Sequence, residues 1–225
     1  MAYAVGKPGP RPDPKIVAAL RTIEPATLGH VFFFGFMETA IRPVFRRVNV
    51  VGPALTVRAP GPDGTAIHYA LSLVQPGDVV VIDRGGDMSY ACFGEMTARA
   101  AKQRGAAGVI ADGLVTDIIQ IEEIGVPVYA KGASARTGRL LDLGGEVNTV
   151  ITCGGVTVRP GDLIHADDNG ILVIPMEEVA RAVEVGLQRE ARSGDLRTWI
   201  EQGKDLAEFS GARRLVEGDT PKTPR

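Results

Sequence analysis

The stretch from Phe93 to Lys131 reads FGEMTARAAKQRGAAGVIADGLVTDIIQIEEIGVPVYAK, and its punctuation decides the fold. Gly94 permits a sharp turn because it has no side chain to obstruct one. Glu95 to Arg104 follow as mostly good helix formers, with Thr97, Ala100 and Ala101 on one face. Gly105 stops that helix. Gly108 to Ala111 is short and apolar, as a strand covered on both faces must be, and it ends in Asp112-Gly113 with Asp117 just beyond. Ile118 to Ile124 has the spacing of a short amphipathic helix, and Gly125 to Ala130 forms the next strand. Helix and strand alternating in this way predict an α/β fold. The same order sets a helix N-terminus, with free N–H groups, and a carboxylate at a strand's C-terminal end around one cleft. Ligands of open α/β sheets usually bind there.

Upstream, Met1 to Pro14 is rich in Pro and Gly and reads as an extended arm. Ile16, Val17, Leu20 and Ile23 have helical spacing within Lys15 to Ile23, and Pro25 ends that helix. Phe32 to Phe34 suit core or subunit-interface packing better than a ligand wall, and His30 has no second His or Cys at metal spacing. Arg42, Arg46 and Arg47 around Pro43 read as a solvated basic face. Val48 to Val57 is a strand whose Gly52-Pro53 predicts a bulge or a sheet edge. After the APGPDG turn cluster, Ala66 to Val74 is a short helix and Asp78 to Asp83 a second strand, with a VVVI core that is apolar throughout. That strand ends in Asp83-Arg84-Gly85-Gly86, a further site candidate by position.

Downstream, Lys131 to Ser134 reads as a loop, and nothing near Lys131 argues for the lowered pKa that a Schiff base needs. Thr149 to Val158, Leu163 to Ala166 and Ile171 to Ile174 read as three strands, with Asp167 to Gly170 a hairpin turn that lacks calcium-loop spacing. Glu177 to Arg189 is a surface helix with Val179, Ala182, Val183 and Leu187 inward. Trp199, Ile200 and Leu206 mark a further short helix, and a polar tail starts at Val216. The expected organisation is one domain over residues 1–225, with the arm at 1–14 and C-terminal helices and tail at 176–225.

Composition sets outer limits. The 225 residues are 44% hydrophobic and 23% charged, which is ordinary for a soluble globular protein. A net charge of −2 and a pI near 6.0 give no electrostatic case for nucleic acid. Cys92 and Cys153 are too few for a disulfide framework and suit a reducing cytoplasm, and no run approaches a membrane span.

The central stretch also carries a resemblance. FGE, then A-x3-G-x2-G-V-x-x-D-G-x3-D and P-V-Y-A, resembles the RraA-like family. VGPALTV, PGDVVVID and GDLIHADDNGILVIP match in the same order, so the resemblance covers roughly Leu20 to Pro175. That family holds regulators of ribonuclease E activity and divalent-metal 4-hydroxy-4-methyl-2-oxoglutarate aldolases. The resemblance implies a layered α/β fold of the swivelling-domain type, with a central sheet or barrel-like core flanked by helices. It also implies a homotrimer, or a hexamer of two trimers. For chemistry it implies a lyase acting on a 2-oxo acid such as oxaloacetate and releasing pyruvate. Asp117 would then bind Mg²⁺ or Mn²⁺ directly and Glu95 through water. The backbone at Gly94, Glu95, Met96 and Thr97 would receive the substrate carboxylate. By residue pattern alone, Asp117 reads as a turn or helix-cap residue, a position that Asp favours, and it is the resemblance that makes it a metal ligand.

One departure stands out. The aldolases carry Arg immediately before the metal Asp; this chain has Thr116. A hydroxyl cannot supply a fixed cationic fork for a carboxylate. Arg84, also just past a strand's C-terminal end, is the candidate replacement. The alternative is a non-catalytic regulatory binding protein on the same fold. A methyltransferase, a label some members carry, would need a Gly-rich strand–loop–helix order that Gly105 to Gly113 does not follow.

Overall fold

The computed structural model describes residues 2–218. The chain enters through Tyr3–Val5 (β1) and two short helices, Pro14–Leu20 (α1) and Pro25–Leu28 (α2), each begun by a proline whose fixed φ suits a first helical turn. Arg42–Pro43 (β2) precedes the long strand Asn49–Arg58 (β3). Strand and helix then alternate through Thr65–Leu73 (α3), Val79–Asp83 (β4), Ala91–Phe93 (β5), Glu95–Gln103 (α4), Gly108–Asp112 (β6), Leu114–Val115 (β7), Ile118–Ile124 (α5) and Val128–Ala130 (β8). Gly132–Ala133 (β9), Gly145–Val147 (β10), Ile151–Cys153 (β11), Val156–Val158 (β12), Leu163–Asp167 (β13) and Ile171–Ile174 (β14) follow. Helices Val179–Glu201 (α6), Leu206–Ser210 (α7) and Ala212–Glu217 (α8) close the described chain.

The central sheet runs β1-β10-β3-β4-β6-β8-β2, with β13 on the first half of β3 and β14 beyond it. Strands β3, β4, β6 and β8 are parallel neighbours, joined in turn by α3, α4 and α5. Such crossovers bring every loop that follows a strand to one edge of the sheet. There β5, β7 and β9 make a small parallel sheet of their own. Among the described residues no helix is long and apolar enough to cross a membrane.

Strand periodicity divides the core. Val80 and Ile82 of β4 and Val109 and Ala111 of β6 pack under α3, α4 and α5, against Ile67, Ala70, Ala98 and Ala101. The alternate residues Val79, Val81 and Ile110 face the other way, onto Ile151, Cys153, Ile164 and Val173. All of Val79 to Ile82 are fully buried, and each such side chain contributes about 1.5–3 kcal/mol on burial. A third cluster joins α1, α2 and α6 through Leu20, Ile23, Leu28, Val179 and Ala182.

Several expectations need correction. Gly52-Pro53 does not mark a sheet edge: β3 is buried through its middle and changes partner there. Residues up to Pro53 pair with β13, and Ala54 onward pairs with β4. Pro53 is tolerated because it sits at this change of partner, and Gly52 because a side chain would meet the Gly77 carbonyl 2.0 Å away. The N-terminal arm is extended, but part of it is β1, hydrogen-bonded alongside β10. Thr149 to Val158 is a hairpin, not one strand, since Gly154 and Gly155 both take positive φ between β11 and β12. The loop after Lys131 holds β9. Helix α6 reaches Glu201 and so absorbs Trp199 and Ile200, with Leu206 starting α7. Its inward stripe ends in Gly186, against Ile23 and Leu28, while Leu187 faces solvent. Phe32 is buried, but Phe33 stands 93% exposed. The tail expected from Val216 starts inside α8, and its remainder lies outside the described residues.

His165 on β13 is buried among apolar neighbours, with neither ring nitrogen in a hydrogen bond of good geometry. Burial, against a weaker pull from the Ile23 backbone, holds its pKa at about 4 rather than 6.5. The unfolded chain therefore takes up a proton below pH 6.5 that the folded chain refuses. Stability contributed by the neutral imidazole is lost as pH falls from 6.5 towards 4, by about 3 kcal/mol at ~1.4 kcal/mol per unit. Denaturant midpoints measured across that window should fall steeply for the wild type and be flatter for His165→Leu; equal slopes would assign the acid sensitivity to other groups.

Candidate functional site

At the C-terminal edge of the parallel strands lies a cleft of about 390 Å³. One wall is the turn from β5 into α4, Cys92 to Thr97, together with Thr116 and Asp117. The other is built from Pro62 to Gly64, His68 and Thr137 to Leu140, and Arg84 also lines the space. The structure thus brings together all of Gly94, Glu95, Met96, Thr97, Thr116, Asp117 and Arg84.

Asp117 follows β7 in a left-handed conformation, φ 55° and ψ 44°, which is costly for a residue with a Cβ. It precedes α5, yet its side chain does not cap that helix. Instead Oδ2 accepts the Glu95 N–H at 2.9 Å, the first free donor of α4, and Oδ1 accepts the Thr116 hydroxyl at 3.2 Å. A carboxylate at a helix N-terminus is favoured by the helix dipole. This contact explains Gly94: a Cβ there would stand 2.6 Å from Asp117 Oδ2 and 2.7 Å from Thr116 Cγ2. The strained φ, the glycine and the cap make one unit that presents an exposed carboxylate to the cleft.

The first turn of α4 is less open than the sequence implied. The Glu95 N–H is already used by Asp117, and the Thr97 hydroxyl bonds back to Gly94 N and O at 2.8 Å. The Met96 and Thr97 N–H groups are the remaining first-turn donors, because an α-helix supplies them no internal acceptor. The Glu95 carboxylate is gripped by Arg99 one turn on, at 2.8 and 2.9 Å. Arg84 is 1% exposed. Its Nη atoms donate to the Ala59 and Gly61 carbonyls and to Asp87, and its Nε has no partner. Arg84 Cγ would lie 2.7 Å from a Cβ on Gly113, so the glycine after β6 exists to let this arginine pass.

The second wall had no clear signal in the sequence. Asp63, 2% exposed, accepts from the Thr65 N–H and hydroxyl and from the Leu141 and Leu143 N–H groups, at 2.6–3.0 Å. Burial raises its pKa, but these hydrogen bonds outweigh it and hold the carboxyl at about 2. Two backbone bonds, Arg139 N to Pro62 O and Gly64 N to Arg139 O, both 2.8 Å, fasten the same loop. The one readable hint was Asp63 two residues before a helix, a position where Asp caps free N–H groups.

Two other reactive groups are excluded from nucleophilic roles. Lys131 is paired with Asp112 and with Glu38 at 2.7 Å. Burial pulls its pKa down, but these two partners prevail and keep it above the usual lysine value. Burial pushes the Cys92 thiol up to about 11, against the opposing charge of Arg84. Among the described residues no group of three or more His, Cys, Asp or Glu side chains forms a metal cage. The donor set of Asp117 with nearby Glu95 fits only a hard cation that keeps most of its water, which is the habit of Mg²⁺.

A family model for RraA-like proteins, described as Aldolase/RraA, matches residues 31–173. A provisionally named 4-hydroxy-4-methyl-2-oxoglutarate aldolase of Halalkalibacterium halodurans is 34% identical over 155 residues, 69% of this chain and 73% of that one. The crystal structure of Streptomyces coelicolor RraAS2, described as an unusual member of the RNase ES inhibitor RraA family, superposes with a TM-score of 0.76 at 30% identity. It covers 84% of this chain and 99% of its own. A Geobacillus kaustophilus structure titled S-adenosylmethionine:2-dimethylmenaquinone methyltransferase superposes at 0.64 with 29% identity, over 70% of this chain and 98% of its own.

The cap at Asp117 makes a stability prediction. Asp117→Ala removes the acceptor for the Glu95 N–H and should lower the unfolding free energy by about 1 kcal/mol. Asp117→Gly loses the same acceptor but relieves the positive φ, and should therefore lie nearer the wild type. Equal denaturant midpoints for the two variants would show that the conformation at 117 carries no strain.

Proposed function

Because the chain belongs to the RraA-like family, we propose that this cleft is the active site of a divalent-metal lyase. Its substrate is a 2-oxo acid of the 4-hydroxy-4-methyl-2-oxoglutarate or oxaloacetate type, and pyruvate is a product. The observation that carries the reading is the exposed Asp117 carboxylate, held in a strained conformation at the start of α4. Strained residues cluster at functional sites, so a carboxylate held this way at a cleft supports the reading.

In this reading Asp117 binds Mg²⁺ or Mn²⁺ directly and Glu95 holds the ion's water, sharing itself with Arg99. When bound, the cation polarises the 2-oxo oxygen and balances the negative charge that gathers there as the C–C bond breaks. The chain's own groups do the positioning. Thr116 fixes the rotation of the Asp117 carboxylate through its hydroxyl bond. The Met96 and Thr97 N–H groups, aided by the helix dipole, receive the 1-carboxylate. Arg84 adds a buried positive charge and one unpaired N–H at the cleft, although its fork is committed elsewhere. The bond between the carbon α to the oxo group and the departing carbon gives its electron pair to the pyruvyl fragment, which takes up a proton from water; the departing carbon leaves as CO2 from oxaloacetate, or as the oxo carbon of a second pyruvate once its hydroxyl has given its proton to water.

The fold family also suggests a homotrimer or a hexamer working in the cytoplasm, with the exposed Phe33 and the C-terminal helices as contact material. Thr116 in place of the aldolases' arginine favours a second reading, a non-catalytic regulatory binding protein.

The deciding experiment follows pyruvate release from oxaloacetate and from 4-hydroxy-4-methyl-2-oxoglutarate, with and without Mg²⁺ or Mn²⁺. Metal-dependent turnover should appear in the wild type, stop on chelation, and fall by about a hundredfold or more in Asp117→Asn. Folded wild-type protein with no turnover on either acid, at any metal concentration, would remove the lyase reading in favour of the regulatory one.

A further inference from the structure

We propose that Arg139 is a specificity-determining residue that selects substrates bearing a second carboxylate, distal to the 2-oxo acid end. This assignment rests on the lyase reading above and adds a residue to the same cleft. Two arginines line that cleft, and their environments differ. Arg84 is buried, and both of its Nη atoms are spent on carbonyls and on Asp87. Arg139 is exposed to the cleft, and among the described residues its guanidinium has no hydrogen-bond, ion-pair or aromatic partner. An arginine left unpaired beside a cleft offers an open, planar fork that matches a carboxylate in two hydrogen bonds.

The backbone under that fork is unusually well held for a loop. The Arg139 N–H donates to Pro62 O and its carbonyl accepts from the Gly64 N–H, both at 2.8 Å. The next residues are tied through the Leu141 and Leu143 N–H groups to the buried Asp63 carboxylate. Gly138 keeps the loop against its neighbour, since a Cβ there would stand 2.7 Å from Pro62 O. Asp63 spends its oxygens on these donors and on Thr65, so it does not pair with Arg139. The guanidinium thus keeps its charge available on a fixed base, which lowers the ordering cost of binding.

The two walls divide the labour. Asp117 and the α4 N-terminus serve the reacting end, and Arg139 on the other wall meets a carboxylate further along the substrate. The family's arginine would stand at position 116, on the reacting side; in this chain the open fork has moved to the facing loop. That predicts a preference for dicarboxylic over monocarboxylic 2-oxo acids.

The test is calorimetric titration of the full chain with Mg²⁺ present, using pyruvate and 2-oxoglutarate as probes with one and two carboxylates. The wild type should bind 2-oxoglutarate more tightly than pyruvate. Arg139→Gln should weaken 2-oxoglutarate by about tenfold or more and leave pyruvate unchanged, with Arg139→Lys between. Steady-state kinetics with 4-hydroxy-4-methyl-2-oxoglutarate, whose distal carboxylate survives the cleavage, should show a raised KM with kcat little altered. Unchanged 2-oxoglutarate affinity in Arg139→Gln, or an equal loss for both probes, would overturn the assignment while leaving the lyase reading intact. A folded wild type that binds neither acid would overturn the lyase reading and this assignment with it.

Discussion

Strands β4 and β6, covered on both faces, are the constraint from which the rest of the architecture follows. A strand with apolar side chains pointing both ways must be covered twice, and here α3, α4 and α5 cover one face while β11 to β14 cover the other. Parallel neighbours need crossovers, and crossovers deliver each post-strand loop to the same edge. Asp83 and Asp112, paired in register at the ends of β4 and β6, mark that edge. The cleft is therefore a consequence of the packing, and the chemistry is placed on loops that a rigid sheet positions.

Within the cleft, charge is distributed by who is already paired. Outside it, Asp112 and Lys131 pair with each other, and Lys131 with Glu38, which ties the ends of β6 and β8 to the segment before β2. Asp63 is consumed by loop N–H groups, Glu95 by Arg99, and Arg84 by carbonyls and Asp87. Asp117 and Arg139 are left presenting charge to the space between the walls. A buried charge without partners is expensive, and the two left without an ionic partner at this cleft, Asp117 and Arg139, are both exposed.

The relatives include proteins named for an aldolase and proteins named for inhibition of an RNase, and this chain resembles both. Thr116 removes one means of holding the anion but strengthens the orientation of Asp117, because its hydroxyl is one of that carboxylate's two donors. An arginine at that position would offer charge to a substrate where threonine offers order to a ligand residue.

The sequence alone determined the α/β class, the order of crossovers from β3 to β8, the turn at Gly94, and the closeness of Asp117 to the start of α4. These follow from local rules: apolar runs too short for anything but covered strands, glycines where helices stop, and a carboxylate a fixed number of residues past a strand. It did not reveal that Asp117 caps α4, that Arg84 is buried with its fork occupied, or that Asp63 and Arg139 build the second wall. It also misread Pro53 as an edge signal, since a strand that changes partners midway has no local signature. Each of these depends on residues far apart in the chain, 22 positions for Asp117 and Glu95 and 78 for Asp63 and Leu141. Hydrogen bonds at such separations are set by how the layers close on each other, and only the tertiary structure decides that.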